Sequence, residues 1–212
     1  MPSLNIDIET PESFCDIDFE RMTRYYGEPI DVITNLEGTV IPWGLSTKRA
    51  EVGSDVLMAL REATLDQCIF GAHSITNRSG VKGGALNALF ASTVENLGVP
   101  SLGEHPLNRA ERKPSGIMSD RLVRRLRDDD KIWESKERQT ANRLIIAFVG
   151  DKLSDMVEAE KLQEITEDVV VGFMVRRYGS TDHPLDKVFG KRRKATTSRQ
   201  LLHAVAQNRF LR

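Results

Sequence analysis

Cysteine is scarce in this chain: Cys15 and Cys68 are the only two among 212 residues. Two thiols without metal-ligand spacing exclude a disulfide framework and a cysteine-built metal site, and they fit a reducing compartment. Long hydrophobic runs are missing as well. No window approaches the ~20 apolar residues of a membrane span, and Met1 to Thr10 carries acids with no apolar segment of the signal-peptide kind. Charge of one sign is also lacking. Thirty basic residues meet 31 acidic ones for a formal net charge of −1, so any attraction to nucleic acid or an anionic membrane has to be local. No internal repeat or low-complexity segment stands out. The expectation is a cytoplasmic protein, peripheral to a membrane at most.

What is present is an ordinary globular composition, 40% hydrophobic and 29% charged, long enough for one α/β domain or two very small ones. Residues 1–12 are polar and read as a flexible N-terminus. Phe14 to Tyr26 reads as a helix, closed by Gly27 and Pro29. Ile30 to Thr34 is a first strand. Thr47 to Thr64 has helical spacing, with Ser46 or Thr47 as N-cap. Gln67 to Ile75 is a second strand and Gly84 to Leu97 a helix. Val99 to Leu102 suggests a short strand. Pro114 suits the first turn of a helix from about Ile117 to Arg127, and Asp128 to Thr140 is a charged connection. Leu144 to Val149 is the clearest buried strand. Met156 to Gln163 is a helix, and Val169 to Val175 a last strand. Strands alternating with helices imply a Rossmann-like three-layer α/β domain over residues 13–186, with a parallel sheet. Residues 187–212 form a basic tail whose last part, about Ser198 to Phe210, has helical character.

In a parallel sheet the loops after successive strands share one edge, and ligands bind there. Four such loops carry small polar or charged residues: Asn35-Leu-Glu-Gly-Thr39, Thr76-Asn77, Lys113, and Gly150-Asp151-Lys-Leu-Ser-Asp155. In this order the four resemble the motifs of the haloacid dehalogenase (HAD) phosphatases. The resemblance narrows to subfamily IIIA and its phosphatidylglycerophosphate phosphatase branch through Ser13-Phe-Cys-Asp-Ile-Asp18, Thr39-Val-Ile-Pro-Trp43, Arg112-Lys-Pro-Ser-Gly116 and Thr181-Asp-His-Pro-Leu-Asp-Lys187. It covers about residues 13 to 195. With about 36 residues between the first two motifs, mostly one helix and one strand, a large cap domain has no room there, which implies an open site for a bulky or membrane-borne phosphate ester.

The resemblance implies hydrolysis of a phosphate monoester. It places Asn35 and Glu37 at the nucleophile and acid positions, with Lys113 offsetting charge. Gly38, Thr39, Thr76, Asn77 and Lys113 fall at phosphate-binding positions, and Asn35, Glu37, Asp151 and Asp155 at those that hold Mg²⁺. The chemistry of that reaction is positioning and charge neutralisation of a phosphoryl group. The first motif departs from the usual Asp-x-Asp-Gly-Thr. An amide is no nucleophile toward phosphorus, for which this covalent route needs a carboxylate. Asn35 also removes one negative charge from the metal position, and Glu37 is one methylene longer than Asp, where a displacement of ~1 Å can cost ~100-fold in rate. Two readings stay open: a phosphate-binding or scaffold relative without turnover, its anion held by Lys113, Thr76 and the backbone amides of residues 37–39, or a phosphatase using Asp31 or Glu37 as nucleophile.

Lys191-Arg-Arg-Lys194, within a basic stretch from Lys187 to Arg199, reads as a solvated tail or as a contact with an anionic membrane worth ~1 kcal/mol per basic residue. Nucleic acid is a poorer fit because only Phe189 and Phe210 flank it. Arg121, Arg124, Arg125 and Arg127 read as a solvated helix face. The four histidines share no metal spacing, and His73 belongs in or beside a buried strand. Trp43 fits a core position or the mouth of the pocket.

Overall fold

A computed structural model describes residues 5–43, 49–128, 143–178 and 180. Six strands form one sheet: β1 (Asp7–Glu9), β2 (Ile30–Asn35), β3 (Ile69–Ile75), β4 (Gly103–Glu104), β5 (Ile145–Gly150) and β6 (Val169–Met174). Every pairing is parallel, in the order β1-β6-β5-β2-β3-β4. Helices α1 (Phe19–Tyr26), α2 (Ser54–Leu65) and α3 (Gly80–Glu95) cover one face, and α4 (Ile117–Asp128) and α5 (Leu153–Thr166) the other. This is the expected Rossmann-like three-layer α/β domain. After β2 the chain builds outward through β3 and β4, then returns to the other side of β2 to lay down β5 and β6. The order therefore reverses between β2 and β5, where α/β sheets place their ligands.

Alternation along the strands divides the core. Val32, Ala72, Ala147 and Val149 face α1–α3, against Met22, Leu60, Phe90 and Val94. Ile33, Ile75, Ile146 and Phe148 face α4 and α5, against Leu122, Leu126, Met156 and Leu162. Both central strands are buried on both faces; β5 is accordingly apolar along its length, which is why it reads so plainly, whereas β2 also buries the polar Asp31, Thr34 and Asn35. Among the described residues, no helix is long and apolar enough to cross a membrane.

Several boundaries differ from expectation. Phe14 to Tyr26 is two pieces, a 3₁₀ turn (Phe14–Asp16) and α1, because Ile17 is extended and Asp18 caps α1 by accepting from the Arg21 amide at 2.8 Å. Helix α2 starts at Ser54 behind Gly53; Ser46 and Thr47 lie outside the described residues. Helix α3 begins four residues early, at Gly80, and α5 extends past both expected ends. The short strand is Gly103–Glu104, not Val99–Leu102. Pro114 precedes α4 by three residues rather than opening it.

The expected flexible N-terminus is corrected over residues 5–12. Asp7–Glu9 pairs with β6, burying Ile6 and Ile8. The alternation of Ile6 and Ile8 with polar neighbours is a strand signal. The α4 arginines are also more than a solvated face: Arg121 and Arg125 pair with Glu104, and Arg127 with the buried Asp168. The charged connection lies beyond α4 largely outside the described residues, as does the whole basic tail.

Candidate active site

The turn after β2 is tight. The Leu36 carbonyl accepts from the amides of Val40 (3.1 Å) and Ile41 (3.0 Å), and the Gly38 amide donates to the Ile41 carbonyl at 2.8 Å. Gly38 has φ +87°, and a Cβ there would stand 2.5 Å from Asp151 Oδ2. Only glycine meets both demands. The turn thereby lies against the start of the β5 loop, and Asn35, Asp151 and Asp155 converge with Lys113 in one buried cluster.

Asn35, the last residue of β2, is bonded at both ends of its carboxamide. Its Nδ2 donates to the Glu37 carbonyl at 2.8 Å and to Asp151 Oδ1 at 3.1 Å, and its Oδ1 accepts from Lys113 Nζ at 2.5 Å. Lys113 Nζ also donates to Asp155 Oδ1 at 2.7 Å, and both of these side chains are 1% exposed. Asp155 sits in the first turn of α5, where its Oδ2 accepts from the Lys152 amide at 3.1 Å. Asp151 Oδ2 accepts from Arg177 Nε at 2.9 Å. Burial and the neighbouring Asp155 push the Asp151 carboxyl above its usual range, and Arg177 opposes them.

The Glu37 side chain turns away from this cluster. Arg78 Nε donates to both its carboxylate oxygens, at 2.9 and 3.1 Å, and the Thr76 hydroxyl approaches at 3.4 Å. Bonding to Glu37 raises the Arg78 pKa. The other expected phosphate contacts are engaged locally. Thr76 Oγ1 accepts from the Arg78 amide, the Asn77 side chain accepts from the Lys113 amide at 2.9 Å, and the Gly38 and Thr39 amides close the turn. The backbone cradle expected over residues 37–39 is thus corrected: two of its three amides are used within the turn.

Arg78 and Arg177 are the residues that sequence reasoning missed. Arg78 stands two residues after Thr76. Arg177 lies just past β6, whose carboxyl end reaches the same edge, and following that loop as well would have found it. Arg177 and Lys152 give this edge a cationic rim around Trp43, which is 57% exposed. Lys152 Nζ and the Arg177 guanidinium lie 5.7 and 5.9 Å from its ring centre. Of the two positions considered for Trp43, its exposure rules out the core.

Mg²⁺ needs a set of open oxygen ligands. All four carboxylate oxygens of Asp151 and Asp155 already have protein donors, and Glu37 is held by Arg78. Among the described residues, no group of three or more His, Cys, Asp or Glu is placed to hold a metal. As arranged, these residues do not fit a divalent cation. The carboxylates weighed as alternative nucleophiles are held as well. Asp31 is four residues upstream, ~13 Å along a strand, and is buried with its Oδ1 3.1 Å from His73 Nε2. His73 Nδ1 accepts from the Leu102 amide, so this pair ties β2 and β3 to the entry of β4.

No family model matches the chain, and no curated protein or solved structure matches it significantly.

Proposed function

We propose that this chain is a HAD-like phosphatase relative, of the phosphatidylglycerophosphate phosphatase kind, that binds a phosphate ester and does not hydrolyse it. The observation that carries this reading is the Asn35 carboxamide, bonded to Asp151 and Lys113 at the place where a covalent route needs a free carboxylate. The acid two residues on, Glu37, is bonded to Arg78 instead of facing Asn35.

Binding is supported by the rim and by Arg78. Arg78 and Arg177 are partly exposed, at 41% and 44% of their side chains, and their planar forks suit phosphate oxygens. Trp43 beside Arg177 offers a flat apolar surface to the rest of the ester. A lipid-borne ester and a peripheral contact with an anionic membrane through Lys187 to Arg199 belong to the same reading; that stretch lies outside the described residues. A cytoplasmic location and Mg²⁺-dependent hydrolysis in the ancestral site are likewise parts of the proposal.

The test is phosphate release with Mg²⁺ from phosphatidylglycerophosphate and from an aryl phosphate, beside calorimetric titration with a non-hydrolysable phosphonate analogue. Wild type is expected to release no more phosphate than Lys113→Ala and to bind the analogue, with Arg177→Ala weakening that binding. Turnover by wild type that Lys113→Ala abolishes would overturn the silent reading. Absence of analogue binding would overturn the binding one.

A further inference from the structure

At the carboxyl edge the buried cluster and the Glu37–Arg78 pair beside it together hold three carboxylates, Glu37, Asp151 and Asp155, and three cations, Arg78, Arg177 and Lys113. Each acid has its own partner, at 2.8, 2.9 and 2.7 Å respectively. Asn35 adds no charge, and its Nδ2 donates to the Glu37 carbonyl and Asp151 Oδ1, with the Thr39 hydroxyl farther off at 3.4 Å. A cation lodged between those oxygens would be attracted to both; here N–H groups do that work. Lys113 in turn bridges Asn35 on β2 to Asp155 on α5. Its own backbone amide is held by Asn77 beyond β3, and Arg177 beyond β6 reaches Asp151 beyond β5. Segments following β2, β3, β5 and β6 are therefore joined by one charge-balanced network.

We propose that this network is a metal-free clasp. The Asn35 amide, Lys113 and Arg177 supply the positive character that a divalent cation would otherwise bring to these carboxylates, and the protein uses the cluster to lock the strand ends together without any metal. The inference shares Asn35 with the proposed function but does not depend on any ligand entering the site.

The clasp makes Asn35 a switch between two kinds of site. Asn35→Asp replaces two donors with a carboxylate facing Asp151 Oδ1 and the Glu37 carbonyl. The cluster then carries an extra buried negative charge, a penalty that a bound cation relieves without the uptake of a proton. Thermal unfolding with EDTA and with millimolar Mg²⁺ tests this. The Tm of wild type is expected to be the same in both. Asn35→Asp is expected to melt on the order of 10 °C lower in EDTA and to recover when Mg²⁺ is added. A Mg²⁺-dependent rise in the wild-type Tm would overturn the clasp, and so would an Asn35→Asp protein as stable as wild type in EDTA. Should Asn35→Asp fold in neither condition, Mn²⁺ titration of wild type by electron paramagnetic resonance decides. No stoichiometric binding supports the clasp, and one tightly bound ion per chain overturns it. Loss of phosphonate binding in the earlier titration leaves these outcomes unchanged, so the two proposals fail separately.

Discussion

At Lys113 a full positive charge sits almost out of contact with water, held by Asn35 Oδ1 and Asp155 Oδ1. Desolvating such a pair costs much of what its attraction returns, but removing one partner leaves the other charge stranded. Lys113→Met is therefore expected to lower stability by about 3–5 kcal/mol in urea denaturation. The double variant Lys113→Met/Asp155→Asn should recover part of that loss, because the stranded charge is gone. A double variant whose loss equals the sum of the single losses would show that the two side chains are not coupled. Arg78→Ala removes a half-exposed partner instead and should cost no more than about 1 kcal/mol. Asn35, Asp151 and Asp155 were legible in the sequence because they follow apolar strands, and Lys113 because it opens the Lys-Pro-Ser-Gly116 segment, all in a fixed order. Their mutual bonding was not. Whether a carboxylate is open or already held depends on Arg177, 26 residues after Asp151, and no local pattern reports that distance.

Between elements, the loop carrying Lys113 is anchored by a residue that looks like a surface acid. Glu158 lies one turn beyond Asp155 on α5 and is fully buried. Its Oε2 accepts from the Gly116 amide at 2.8 Å and its Oε1 from the Ser119 hydroxyl at 2.7 Å. A carboxylate there satisfies a free amide at the start of α4 and faces the positive end of that helix. Glu158→Ala should destabilise by about 1–3 kcal/mol, because it orphans a buried N–H, whereas Glu158→Gln keeps an acceptor and should cost less. Equal losses in chemical denaturation would mean that side-chain volume, and not hydrogen bonding, matters at this position. Helical periodicity placed α5 but could not show Glu158 buried, since its partners lie 42 and 39 residues earlier. The same limit explains the boundary errors. Apolar spacing marks the middle of a helix, while its ends depend on caps such as Asp18, whose role rests on one hydrogen bond.

Across the whole molecule, the first strand of the chain covers the edge of the last. β1 lies beside β6, with Ile8 opposite Gly172. A Cβ at Gly172 would stand 2.9 Å from Met156 Sδ and 3.2 Å from Ile8 Cγ1, so this glycine makes the room that Ile8 fills. Two further bonds hold the seam: the Asn5 amide donates to Glu160 Oε1 at 2.7 Å, and the Arg176 amide to the Glu12 carbonyl at 3.1 Å. Without β1, the apolar run of β6 would become an open edge able to pair with another chain. β1 itself is a poor edge for such pairing, being three residues long with acids at Asp7 and Glu9. Ile8→Ala should then have two effects. The lost burial and the resulting cavity should lower stability by about 2–5 kcal/mol in urea. The loosened seam should also expose β6, so that at equal concentration the variant aggregates on mild heating where wild type stays monodisperse by light scattering. Asp7→Asn, which changes a solvent-facing side chain of the same strand, should do neither. An Ile8→Ala protein with wild-type stability would mean that β6 keeps its cover without the N-terminal strand, and that the sheet is complete with five strands.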